Sequence, residues 1–87
     1  MKVVVLYRPN SEFSRMVEEF AQELEREHQA RIDLLNIDTR DGSSTASLYD
    51  IMQNPAILVL RDDGQLVQQW QGGTFPPKSE VSYYTHV

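Results

Sequence analysis

Apolar residues fall along this 87-residue chain in short unbroken runs and in one long periodic stretch, and the two spacings predict different elements. Residues 3–7, Val-Val-Val-Leu-Tyr, are brief and rich in β-branched side chains, and Pro9-Asn10 follows. This is the signature of a buried strand stopped by a turn. Between residues 11 and 28, Phe13, Met16, Val17, Phe20, Ala21 and Leu24 recur at three- and four-residue steps. Glu12, Glu18, Glu19, Glu23, Arg26 and Glu27 fall opposite them, so this stretch is an amphipathic helix. Asn10 or Ser11 is placed to cap it, with Glu12 at the positive end of the helix dipole. Residues 31–38, RIDLLNID, read as a second strand ended by the breakers in TRDGSS. A short second helix is expected over 46–52, capped by Ser43, Ser44 or Thr45. AILVL at 56–60 is continuously apolar, as in a strand covered on both faces. Asp63-Gly64 reads as a two-residue turn into an antiparallel strand over 65–71. Gly72-Gly73 and Pro76-Pro77 then break the pattern.

The order strand, helix, strand, short helix, strand, strand is a βαβ unit followed by a β-hairpin. The expected fold is therefore α/β, with a mixed four-stranded sheet, one long helix, a short second helix and a C-terminal helix that is short or absent. One domain over residues 1–75 and a tail over 76–87, frayed or briefly helical, account for the whole chain. Thirteen acidic residues against eight basic ones give a formal charge of −5, which repels phosphate backbones and anionic headgroups; nucleic acid and membranes are not expected partners. The apolar run near residue 3 is too short for a signal-peptide core and no segment is long enough to span a bilayer, so the expectation is a cytoplasmic protein, monomeric or weakly dimeric. The absence of cysteine removes disulfides, thiolate catalysis and cysteine-based metal sites together.

Two stretches carry a resemblance. VLYRPNSEFSRMVEEF, over 5–20, resembles the strand, turn and helix start of glutaredoxins, with Ser11-Glu12-Phe13-Ser14 lying where that family has Cys-Pro-Tyr/Phe-Cys. YDIMQNPAILVLRDDG, over 49–64, resembles the thioredoxin segment that places a cis-proline before a strand and a hairpin after it. The chain is thus similar to glutaredoxin-sized members of the thioredoxin-like superfamily over roughly residues 2–73. The resemblance implies a cis Asn54–Pro55 bond and a groove beside it for an extended peptide or glutathione, edged by Arg8, Ser11, Phe13, Asn54 and Pro55.

The departure from the family decides the chemistry. Thiol–disulfide exchange needs a thiolate, and a thiol reaches that state because its pKa of about 8.5 falls into reach at a helix N-terminus. A dipole effect of at most about 2 kcal/mol does not turn a serine hydroxyl into an alkoxide, and serine forms no disulfide. Ser11 and Ser14 are accordingly vestigial dithiol positions that serve as a cap and a first-turn hydroxyl, and no catalytic residue is expected. Ser11, Asp38, His28 and His86 hold the residue types of a hydrolytic triad, but His28 ends the helix that Ser11 begins, about 25 Å away at ~1.5 Å per residue. No metal-ligand spacing occurs, so neither metal nor other cofactor is expected. Asp41-Gly42-Ser43-Ser44-Thr45 lacks the lysine and second glycine of a phosphate loop and reads as a solvated connection. Trp70, Tyr83 and Tyr84 are either exposed binding aromatics or edge packing.

Two functions follow from the sequence. The first is a redox-inactive domain that binds a protein or peptide in the groove beside Pro55. The alternative is a thiol-disulfide oxidoreductase whose cysteines at 11 and 14 are absent by mutation or divergence, or a fold that binds glutathione without exchanging it. A thioredoxin-like clock regulator also lacks the dithiol, but its pattern around the first turn is not matched here.

Overall fold

The computed structural model describes residues 1–29 and 31–85. Its elements run β1 (Lys2–Tyr7), α1 (Ser14–His28), β2 (Ile32–Asn36), α2 (Arg40–Leu48), β3 (Ala56–Leu60), β4 (Leu66–Gln71) and α3 (Lys78–Thr85). The strands form one sheet in the order β2-β1-β3-β4, with β1 parallel to β2, antiparallel to β3, and β3 antiparallel to β4.

The two unbroken apolar runs become the two central strands, buried on both faces as continuous apolar strands must be. Alternation along them divides the core. Val3, Val5, Tyr7, Ile57 and Val59 face α1 and α3, meeting Val17, Leu24 and Val81. Val4, Leu6, Ala56, Leu58 and Leu60 face α2, meeting Ala46 and Ile51. Of the two expectations for the C-terminal helix, short or absent, the structure has the short one, and α3 is docked: Val81 is fully buried and Lys78 pairs with Glu23 and, at 3.5 Å, with Glu27 of α1. His86 lies outside the described residues.

Three local expectations are corrected. α1 begins at Ser14 and not at Ser11; Phe13 is its N-cap residue, without a side-chain cap, and neither Asn10 nor Ser11 caps it. Glu12 consequently lies outside the helix, and the first turn carries no acidic residue. α2 runs over Arg40–Leu48 rather than 46–52, and Thr39 caps it by accepting the Gly42 N–H at 3.1 Å. What reads as a breaker is the helix's first turn, because Gly42 lets α2 sit directly on the end of β2: a β-carbon there would lie 2.0 Å from the Asn36 carbonyl oxygen. The hairpin loop has three residues, 62–64, and not two. Arg61 O accepts the Gly64 N–H and Arg61 N–H donates to Gln65 O, both at 2.9 Å, with Gly64 at φ 90°. This is a turn closed by a left-handed glycine, and it leaves β4 with a further irregularity opposite Val59 and Leu60.

Candidate functional site

Register brings three segments to one end of the sheet. Leu6 of β1 pairs with Ala56 of β3, and Ala56 with Gln71 of β4. The chain leaving β1, the chain entering β3 and the chain leaving β4 therefore meet there. The Asn54–Pro55 bond in the middle segment is cis. Three contacts tie the segments together. The Gly72 N–H donates to the Pro55 carbonyl at 2.9 Å, with Gly72 at φ 100°, a conformation favouring glycine. Gln71 Oε1 accepts the N–H groups of Met52 (2.9 Å) and Gln53 (3.0 Å), fixing the approach to Pro55. The Phe13 ring rests on the main chain of Gly73, where a β-carbon would meet Cε1 at 2.7 Å.

The loop over 8–14 is two consecutive turns. Ser11 N–H donates to Arg8 O at 3.3 Å with Asn10 at φ 67°, and Ser14 N–H donates to Ser11 O at 3.2 Å. Both hydroxyls serve this backbone: Ser14 Oγ donates to Ser11 O at 3.0 Å, and Ser11 Oγ accepts the Phe13 N–H at 3.3 Å. Among the described residues neither hydroxyl has a carboxylate or imidazole partner, so nothing is placed to take its proton. His28 closes α1 at the end opposite Ser14.

Arg8 is exposed, but its guanidinium is committed. Nε and Nη2 meet the two Asp38 carboxylate oxygens at 2.9 and 3.1 Å, clamping the loop after β1 to the loop after β2. The hydrogen bonds of this pair hold Asp38 below the usual carboxylate range and raise Arg8 further. Burial, reinforced by Glu18, raises the Tyr7 phenol. Pro55 is fully buried, so its contribution to a groove is the backbone shape that presents half-buried Asn54, beside exposed Met52 and half-buried Ser11 and Phe13. Trp70 and Tyr84 pack edge-to-face at 5.7 Å, both half-buried, while Tyr83 is exposed.

Sequence reasoning missed Gln71, Gly72 and Gly73 as members of this site. The double glycine directly after a strand was the available signal: it marks a close approach as readily as a break. Among the described residues no three histidine or carboxylate side chains gather to hold a metal ion, and no helix is long and apolar enough to cross a membrane.

No family model matches the chain. It is 31% identical over 68 residues to a thioredoxin of Staphylococcus aureus, an alignment covering 78% of this chain and 62% of that protein. The chain thus spans under two thirds of the curated relatives it matches. Among solved structures it superposes on thioredoxin 1 of Thermosipho africanus (TM-score 0.71, 12% identity, 99% of this chain and 91% of that one). It also superposes on mitochondrial thioredoxin 3 of Saccharomyces cerevisiae (TM-score 0.71, 15% identity, 97% and 74%). At these identities the likeness speaks for the fold.

Proposed function

The chain has the thioredoxin-like fold, and from that premise we propose that it is a redox-inactive domain that binds an extended peptide or protein segment at the sheet end around Asn54 and Pro55. One observation carries the reading: the chain holds no cysteine, while the segments around Pro55 are stitched together by Gln71, Gly72 and the Phe13–Gly73 contact. Without a thiolate no mixed disulfide forms, so what this surface offers a ligand is hydrogen bonding and shape. Phe13 supplies an apolar contact, and the Asn54 main chain supplies the pairing groups. Arg8, already paired with Asp38, limits the attraction for anionic ligands. The reading carries with it a cytoplasmic protein, a monomer or weak dimer, with no cofactor.

The test is an amide-shift titration with a pool of capped hexapeptides, and separately with glutathione. Peptide binding should move amides over 8–14, 53–56 and 72–73, and both Phe13→Ala and Pro55→Ala should weaken it. Unchanged binding in both variants overturns the location. Reduction of insulin disulfides by this chain above the buffer rate overturns the redox-inactive reading.

The 31% identity to a thioredoxin favours one second reading, an oxidoreductase whose cysteines at 11 and 14 are absent by mutation or divergence. Under it, Ser11→Cys with Ser14→Cys restores disulfide exchange and the peptide pool shifts nothing.

A further inference from the structure

Among the described residues the sheet has an open edge at β2, whose one strand neighbour is β1. In this parallel ladder Val3 N–H bonds Arg31 O and Ile37 N–H bonds Tyr7 O, both at 2.9 Å. Positions 31, 33, 35 and 37 therefore turn their main chain toward β1, and 32, 34 and 36 turn theirs outward. The Asn36 carbonyl accepts from Thr39, so Ile32 and Leu34 are the residues that each offer an N–H and a C=O. Open edges are commonly blunted by proline, lysine or a bulge. β4 has its irregularity; β2 is Ile-Asp-Leu-Leu-Asn in regular register, with Leu34 39% exposed.

A cleft flanks β2 on each face. On the α1 side about 320 Å³ is lined by Tyr7, Ala21, Ile32 and Leu34, with the carboxylates of Glu18 and Glu25. On the α2 side about 550 Å³ is lined apolarly by Leu35, Leu48 and Tyr49, with Asp33, Asp41 and Asp62 against Lys2 and Arg61. Lys2 already lies 3.8 Å from Asp33. Five carboxylates stand against Lys2, Arg61 and the Met1 ammonium, which lies 3.3 Å from Asp62, and Glu18 and Glu25 share the α1-side cleft with no cationic side chain; this balance decides what fits the edge. A second copy, itself at −5, would bring the same carboxylates against these, whereas a basic strand is attracted.

We infer that the β2 edge is a strand-addition site for an extended segment of a partner protein in which lysine or arginine alternates with β-branched apolar residues. This goes beyond the peptide site near Pro55 and uses a different surface. The ladder forms through Ile32 and Leu34. Alternate side chains of the incoming strand fall on opposite faces: the basic ones reach Glu18 and Glu25 with their stems across Leu34, and the apolar ones enter the cleft by Leu35, Leu48 and Tyr49.

The probe is a capped heptapeptide alternating valine and lysine, with valine–glutamate and valine–threonine heptapeptides beside it, read by amide shifts and hydrogen exchange. The valine–lysine peptide should protect the Ile32 and Leu34 amides, and the valine–glutamate peptide should not bind. Leu34→Pro removes an outward donor and no bond to β1, so the fold is retained and affinity should fall roughly tenfold. Glu18→Gln with Glu25→Gln, at exposed positions that keep the core intact, should weaken the lysine peptide by about two- to fivefold and leave the threonine peptide unchanged. Shifts confined to 8–14 and 53–56, equal affinity in both variants, or protection of Ile32 and Leu34 that rises with protein concentration alone each overturn the inference. The last outcome would name a second copy as the occupant.

Discussion

Gly42→Ala separates two physical arguments that predict opposite signs. Gly42 is in the first turn of α2, and glycine inside a helix costs about 0.8–1 kcal/mol relative to alanine, so propensity alone predicts a gain. The tertiary structure predicts a loss. The added β-carbon would stand 2.0 Å from the Asn36 carbonyl oxygen and 2.7 Å from its carbon, where ordinary contact starts near 3.4 Å. Both atoms are backbone, so no rotamer change relieves the overlap, and α2 must withdraw from β2 by roughly 1 Å or more. Overpacking of this kind costs about 1–3 kcal/mol or more, and withdrawal also strains the Thr39–Gly42 cap, worth about 1 kcal/mol. Subtracting the propensity gain leaves a net loss of roughly 1–3 kcal/mol, against a total stability on the order of 4–13 kcal/mol for a chain this long. Urea unfolding followed by circular dichroism should show a lower midpoint, and thermal unfolding a fall of roughly 5–20 °C. Ser44→Ala, at an exposed position in the same helix, should raise stability by a few tenths of a kcal/mol and serves as the control. A midpoint for Gly42→Ala at or above that of Ser44→Ala refutes the close-approach argument.

Three further outcomes are expected. Val81→Ala deletes two buried methyl groups where α3 meets the core, and should cost about 1.5–3 kcal/mol in urea unfolding. Hydrogen bonding to Lys78 lowers the Glu23 pKa from 4.5, and hydrogen bonding to Glu23 raises that of Lys78 from 10.5. The stabilisation from Glu23 is therefore present above pH 4.5 and lost as pH falls through the depressed value, and that from Lys78 is present below pH 10.5 and lost as pH rises through the raised one. The stability difference between wild type and Lys78→Met, measured in urea across pH, should shrink at both limits and stay flat between them. Ser11→Cys with Ser14→Cys places thiols across a hydrogen-bonded four-residue turn, within reach of a disulfide, so oxidation should yield an intramolecular bond countable with a thiol reagent.

How much was legible in the sequence depended on whether a residue's role was local. β1, α1 and β3 could be read because an unbroken apolar run or a 3.6-residue period records which faces are covered. α2 was misplaced because Asp41, Gly42, Ser43 and Ser44 are weak helix formers locally, and the approach of Asn36 that makes Gly42 fitting is a tertiary fact. Thr39 was the overlooked clue, a capping residue three before Gly42. At the site, the positions over 8–14 and 54–55 could be named from their resemblance to a family. The Phe13–Gly73 contact and the Gln71 bonds could not, since they join residues far apart in sequence and depend on β4 ending level with the start of β3.

β1 comes first among the strands in the chain and stands in the middle of the sheet, with Val3 paired to Val59. During synthesis its five buried residues emerge long before the strand that covers one of their edges. Until then Val-Val-Val-Leu-Tyr is an uncharged, β-prone ribbon open to any other nascent chain, the kind of stretch that holding chaperones shield. The interval between the making of β1 and of β3 is therefore the exposed one for this sheet, and yield in a cell should depend on how quickly translation delivers Ala-Ile-Leu-Val-Leu after β1.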